Sequence, residues 1–68
     1  MIEIPTKSNK VKVVVKREVY KGVERLDVRQ YVDLEEDGNF IPTKKGISIP
    51  MNDIGLYVNA IMVEARLK

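Results

Sequence analysis

The residues best suited to do chemistry are cations and aromatic rings that share one parity of two strand-like segments. They are Lys10, Lys12, Lys16, Tyr20, Arg25, Arg29 and Tyr31. Cations can follow a phosphate backbone while aromatic faces stack on bases, at about 1 to 3 kcal/mol per stacked base. The pattern is therefore typical of a surface that binds single-stranded nucleic acid. Basic, solvated faces are also common in antiparallel sheets, so composition alone leaves both interpretations open.

The residue types that are missing argue against catalysis. The chain contains no histidine and no cysteine, so it lacks the usual general base, the strongest nucleophile and the commonest zinc ligands. Ser8 and Ser48 have no evident activating partner, and no phosphate-binding glycine motif is present. The acidic segment 33–37 lacks the spacing of an EF-hand loop and predicts a solvated turn. We therefore expect no enzyme, no metal and no cofactor.

Chain length predicts one domain, 1–68, that needs support from a partner. At 68 residues, folding buries only about 60% of the surface that the unfolded chain exposes. Disulfides cannot help without cysteine, so oligomerisation is the expected support. The formal net charge of +2 is too small to argue for a polyanion by itself. No signal peptide or membrane span is evident, which predicts an intracellular protein, cytoplasmic or nucleoid in a prokaryote and nuclear in a eukaryote.

Two segments alternate with the period of β-strands. Val11, Val13, Val15 and Val19 fall on one parity of the first, and Val14 is the exception to the pattern. In the second, residues 23–33, Leu26, Val28 and Val32 likewise alternate with polar side chains. A period of two with β-branched residues predicts strands with one buried and one exposed face. The intervening Lys21-Gly22 predicts a hairpin turn.

Two more strands are predicted from the segments "NFIPTK" and "GISI". Asp37-Gly38 favours a hairpin before them, and Pro42 restricts its strand to an edge or a bulge. Gly46 is expected to allow a tight or positive-φ backbone where the sheet turns toward a helix, with Lys44 and Lys45 presenting charge there. The expected fold is α+β, a four-stranded antiparallel meander over residues 10–49 that follows an N-terminal arm, 1–9.

Residues 51–67 change to a helical period. Apolar side chains recur at steps of three and four and cover nearly two faces, more than a small sheet can bury. Gly55 opposes this assignment, unless it permits a close contact or the helix begins later. We expect one stripe to pack on its own sheet and another on a second subunit, although a well-buried monomer is the alternative. The predicted dimer interface is Ile54, Tyr57, Val58, Ile61 and Met62.

The order of these motifs is similar to that of a known family. "YKGVERLDVRQYV", then "DGNFIPTKKGISI", then an amphipathic C-terminal helix resembles the single-stranded-DNA-binding core of the transcriptional coactivator positive cofactor four and its small bacterial and phage relatives. The resemblance runs from about Val11 to the C-terminus. It implies a four-stranded, strongly curved sheet plus a helix, in a homodimer whose sheets form grooves for unpaired DNA.

The resemblance also assigns roles to residues. Tyr20 matches a stacking aromatic, Lys21 a turn lysine and Arg29 a second-strand arginine. Val32 stands where relatives have a stacking tryptophan, and Val23 and Ile41 stand where eukaryotic relatives have DNA-contacting lysines. Tyr31 and Phe40 are the candidates to compensate. The predicted nucleic-acid-binding residues are Lys16, Arg17, Tyr20, Lys21, Arg25, Arg29, Tyr31, Phe40, Lys44 and Lys45.

Three functions remain open from the sequence. The first is a dimeric protein that binds single-stranded DNA, with RNA or melted duplex as alternatives, in transcription, replication or recombination. It predicts that Arg29→Ala loses binding and keeps the fold. The second is a coactivator-like module that recruits transcription or replication proteins through the acidic segment 33–37. The third is a purely structural dimerisation module.

Overall fold

A single antiparallel sheet and one C-terminal helix make up the computed structural model, which describes residues 1–66. The strands are β1 (Ile2–Pro5), β2 (Val11–Tyr20), β3 (Val23–Val32) and β4 (Ile41–Pro50), in the order β1-β2-β3-β4. A 3-10 turn, Met51–Asp53, leads into helix α1, Ile54–Ala65. The predicted fold class, a four-stranded antiparallel meander followed by a helix, is confirmed.

The prediction placed two of the four strands wrongly. Ile2–Pro5, expected to be an arm outside the sheet, is β1 and pairs with β2 from Ile2 opposite Val15 to Pro5 opposite Lys12. The two short strands predicted around Gly46 are one continuous strand, β4. No turn forms at Gly46, because it lies opposite Arg29 in the ladder with β3. Pro42 does lie on an edge strand, next to a register irregularity, as its missing N–H requires.

The β2–β3 hairpin forms at the predicted turn. Lys21 and Gly22 both have positive φ, at +50° and +78°, and Tyr20 pairs directly with Val23. Positive φ at both central residues is the signature of the turn whose twist matches that of paired strands. The dipeptide therefore fixes the register of the longest ladder in the sheet.

The acidic segment lies in the loop that joins β3 to β4. Asp33 is buried, and its carboxylate accepts the backbone N–H groups of Asp37 at 3.2 Å and Gly38 at 2.9 Å. Its own N–H donates to the carbonyl of Lys10 at 2.9 Å. Asp33 thus organises the loop, which contains Gly38 at φ +88°.

Pairing between β2 and β3 gives the sheet two faces of different character. One face, which we call the polar face, carries the even-numbered β2 residues and their β3 partners: Lys12, Val14, Lys16, Glu18, Tyr20, Val23, Arg25, Asp27, Arg29 and Tyr31. The opposite, apolar face carries the valines of the odd β2 positions together with Leu26, Val28 and Val32.

The best-buried residue lies on the unexpected face. Val14, only 1% exposed, is on the polar face between Glu3 of β1 and Arg29 of β3. Side chains from both neighbouring strands cover it there. The apolar face remains largely open in the single chain, with Ile2 and Ile47 at least half exposed.

Helix α1 does not cover that face. It begins at Ile54, later than predicted, so that Gly55 lies in its first turn, and it contributes no buried residue. The expectation that one stripe of the helix packs on its own sheet is therefore wrong. The predicted last residue, Leu67, lies outside the described residues. No helix within residues 1–66 is long and apolar enough to cross a membrane.

Candidate nucleic-acid interface

Tyr20 stands at one end of the polar face, beside the β2–β3 turn. The residue is 59% exposed, although it has a large aromatic side chain and lies at the end of a paired strand. The ammonium of Lys21 lies 5.3 Å from the ring centroid, within cation–π range. The hairpin turn thus places an open aromatic surface and a cation side by side.

Arg29, in the middle of the polar face, is committed to contacts within the protein. Its Nε donates to both carboxylate oxygens of Asp27, at 3.3 and 3.2 Å, and one terminal nitrogen donates to Asp27 at 3.0 Å. The other terminal nitrogen donates to the carbonyl of Thr43 at 2.9 Å. The hydrogen bonds to Asp27 raise the pKa of Arg29 and outweigh the opposing effect of desolvation. The Arg29 side chain therefore links β3 to β4 by hydrogen bonds.

The Arg25 side chain also links β3 to β4. Its Nε donates to the hydroxyl of Ser48 at 2.7 Å, and a terminal nitrogen donates to the carbonyl of Ser48 at 3.0 Å. Two of the three arginines that the sequence predicted as DNA contacts, Arg25 and Arg29, thus join neighbouring strands. The sequence did contain a sign of this internal role, because Asp27 is an acid of the same parity between the two arginines. In the structure Asp27 is only 4% exposed.

The far end of the polar face holds a group that the sequence only partly identified. The Lys12 ammonium lies 4.2 Å from the centroid of the Phe40 ring and 3.2 Å from a carboxylate oxygen of Glu3. Tyr31 is directly opposite Lys12 in the β2–β3 ladder. The sequence placed Lys12 among the exposed cations of β2, whereas Glu3 was missed because only β1 pairing brings it onto this face.

The remaining predicted cations do not all share the polar face. Lys16 lies on it, opposite Asp27, whereas its neighbour Arg17 is on the apolar face and pairs with Glu24 at 3.5 Å. Lys44 and Lys45 are exposed in the irregular part of β4. Lys45 lines a shallow hollow with Val13, Val28 and Ile47, which belong to the apolar face. Arg17 and Lys45 are thus separated from the surface that they were predicted to join.

Three of the four acids in the acidic loop already have partners within the protein. Asp33 is used internally, and Glu36 forms an ion pair with Lys10 at 2.8 Å. The backbone N–H of Asn39 donates to Asp37 at 3.0 Å and is the main cause that lowers the pKa of that carboxyl group. Leu34, next to these acids, is 75% exposed.

Arg29→Ala is expected to lower the melting temperature by about 10 °C or more. The change leaves the buried Asp27 carboxylate without its partner, and in a small domain each kcal/mol lost lowers the melting temperature by about 4 to 8 °C. Thermal unfolding followed by circular dichroism measures this. Arg17→Ala, which breaks an exposed pair, is the control and should change little. Adding Asp27→Asn to Arg29→Ala should recover part of the loss, and an unchanged melting temperature for Arg29→Ala would contradict the structural role.

Comparison of the sequence with known families identifies the family to which the chain belongs. The sequence profile of the family described as Transcriptional Coactivator p15 (PC4) matches residues 6–54. The chain belongs to the PC4 family. The match covers β2 and β3, which build most of the polar face, together with β4, and it ends at the first residue of α1. PC4 proteins bind DNA and form a non-enzymatic coactivator family.

Solved PC4 structures have the same architecture. A PC4 homologue from Burkholderia pseudomallei K96243, in an orthorhombic crystal form, is similar with a TM-score of 0.84 and 26% identity over 100% of this chain and 89% of that one. Its tetragonal form gives the same TM-score and identity over 96% and 93% of the two chains. A bacteriophage T5 homologue of the eukaryotic coactivator, implicated in recombination-dependent DNA replication, has a TM-score of 0.63 and 19% identity over 93% and 76%, which shows a shared fold. A search of curated proteins found no match.

Proposed function

We propose that this PC4 protein is a homodimer that binds single-stranded DNA through the polar face of its sheet, with little sequence specificity. The observation that carries the proposal is the division of the sheet into an apolar face and a polar face that has an aromatic ring beside a lysine at each end. Tyr20 with Lys21 supplies one end, Phe40 with Lys12 supplies the other, and Lys16 lies between. Rings can stack on any base, while cations follow the backbone.

The character of the helix favours single strands over duplex. Proteins that read duplex DNA commonly place a helix or ribbon with polar, cationic side chains in the major groove. Helix α1 contains no lysine or arginine from Ile54 to Ala65, and its exposed side chains are mainly apolar. A polar sheet face that can hold unstacked bases is the better match to the residues present.

The unburied apolar surface supports the homodimer. The chain exposes 5687 Å², whereas a compact monomer of 7.8 kDa exposes about 4,400 Å². The radius of gyration is 13.9 Å, against about 11 Å for a compact domain of this length. A second copy that covers α1 and the apolar face would bury an excess of this size. The polar face would remain accessible, because it lies on the other side of the sheet.

Binding is tested with a labelled oligonucleotide of about 20 nucleotides, single-stranded and duplex, by fluorescence anisotropy over a salt series. We expect tighter binding to the single strand. Each cation that contacts a phosphate should contribute about −0.7 to the slope of log affinity against log salt concentration. Tyr20→Ala should weaken binding by about 5- to 150-fold, the equivalent of one lost stack.

The adjacent residues Lys16 and Arg17 provide a matched pair of charge variants. Lys16→Ala should weaken binding and reduce the salt slope, whereas Arg17→Ala removes the same charge from the opposite face and should have little effect. Equal effects of the two variants would contradict the assignment of the polar face. Absence of binding to either DNA form at low salt would overturn the proposal.

Partner recruitment through the acidic loop is the second candidate function. The exposed side chain of Leu34 beside Glu35 favours it, since an apolar residue within an acidic segment suits a docking contact. If the protein does not bind DNA and its β3–β4 loop is ordered, the acidic segment 33–37 becomes the better candidate for the functional surface.

A further inference from the structure

Strand β1 brings an acid onto the polar face. Its pairing with β2 places Glu3 opposite Val14 and Pro5 opposite Lys12, so that Glu3 and Lys12 are diagonal neighbours on that face. Long side chains reach across such a diagonal, and a Glu3 carboxylate oxygen lies 3.2 Å from the Lys12 ammonium. β1 is an edge strand of four residues, all of them exposed. A short peripheral strand thus adds a negative charge to the surface that we propose binds DNA.

The Lys12 ammonium is held between a ring and a carboxylate. It lies 4.2 Å from the centroid of the Phe40 ring, in addition to its contact with Glu3. The Lys12 side chain is 22% exposed and the Glu3 side chain 51%, so the carboxylate is the more open member of the pair. A phosphate that approaches the ammonium therefore comes within range of a like charge.

The other lysine of β2 is not neutralised in this way. Lys16 shares the polar face with Lys12, yet it forms no ion pair among residues 1–66. Stability offers a weak reason for the Glu3 charge, because a pair with a half-exposed partner contributes little and backbone pairing already holds β1 in the sheet. The effect of Glu3 should therefore be larger on ligand binding than on folding.

We propose that Glu3 competes with DNA phosphate for Lys12, so that β1 limits the affinity of the polar face for a single strand. The inference rests on the proposed binding of single strands. An unpaired lysine that contacts a phosphate releases counterions and adds about −0.7 to the salt slope. Lys12 instead has to exchange a carboxylate for the phosphate, which offsets the gain. Removal of the Glu3 charge should make Lys12 a full phosphate contact.

The first test is Glu3→Gln, which keeps the shape of the side chain and removes its charge. Fluorescence anisotropy with a 20-nucleotide single strand should show binding about 3- to 10-fold tighter than that of the unaltered protein at low salt. The salt slope should steepen by about 0.7, the contribution of one more phosphate contact. Thermal unfolding should change little, because the lost pair is partly exposed.

Glu24→Gln is the matched control for net charge. It removes the same charge and frees Arg17, its partner at 3.5 Å, on the apolar face. We expect little change in the binding of the single strand. Equal tightening by Glu24→Gln and Glu3→Gln would show a general effect of net charge and would overturn the competition at Lys12.

A double variant tests whether Glu3 acts through Lys12. Lys12→Met keeps an apolar stem of similar length and removes the ammonium, so its addition to Glu3→Gln should abolish both the tighter binding and the steeper salt slope. If the double variant binds as tightly as Glu3→Gln alone, Glu3 repels DNA without involving Lys12, and the inference is wrong.

The outcomes separate this inference from the proposed function. If the unaltered protein binds single strands and Glu3→Gln binds them no more tightly than Glu24→Gln does, the proposed function stands and the competition does not exist. If neither the unaltered protein nor Glu3→Gln binds a single strand at low salt, both are contradicted.

Discussion

Gly46→Ala is expected to disrupt the pairing of β4 with β3 and to lower the melting temperature by about 4 to 24 °C. A Cβ at this position would lie 2.5 Å from the carbonyl oxygen of Val28 and 2.7 Å from the Cα of Arg29. Both are backbone atoms of a paired strand, so relief requires β4 to move away. Overpacking in a core costs about 1 to 3 kcal/mol, and each kcal/mol is worth about 4 to 8 °C here.

Gly55→Ala is the matched control for this substitution. Nothing lies within 4 Å of a Cβ built at Gly55, and alanine is favoured over glycine in a helix by about 1 kcal/mol. In thermal unfolding, the melting temperature should therefore fall for Gly46→Ala and should not fall for Gly55→Ala. Similar melting temperatures would show that β4 can accommodate a methyl group and that the close approach at Gly46 is unimportant.

Ile61→Asp is expected to dissociate the proposed homodimer and to unfold the chain at micromolar concentration. Ile61 is 64% exposed on α1 in the single chain, and burial of such a side chain contributes about 1.5 to 3 kcal/mol. A carboxylate at an apolar interface adds a desolvation penalty in each subunit. Sedimentation equilibrium and thermal unfolding over a concentration series measure both effects, because the stability of an obligate dimer depends on concentration.

Asn59→Asp is the control on the same helix. It introduces the same charge at an exposed position that is already polar, so the dimer should persist. If Ile61→Asp sediments like Asn59→Asp, the helix is not the dimer contact. If the unaltered protein sediments as a monomer with a melting temperature independent of concentration, the homodimer itself is contradicted.

The sequence determined most of the fold through local patterns. Alternation over residues 9–20 and 23–33 identified two strands, and Lys21-Gly22 fixed their turn, since few residue pairs accept positive φ at both positions. The change of period after Pro50 identified the helix. These features depend on neighbours a few positions apart, which is why a single sequence reveals them. Tyr20 and Lys16 could be placed on one face for the same reason.

Tertiary structure decided which residues are available to a ligand. Arg29 looks like a phosphate contact in the sequence, but β3–β4 pairing gives its guanidinium Asp27 and the Thr43 carbonyl instead. Gly46 resembles a turn residue until the ladder brings the backbone of Arg29 against it. Glu3 joins Lys12 only because β1 is in the sheet. Each outcome depends on pairing between distant segments, whose energy is not encoded in local periodicity.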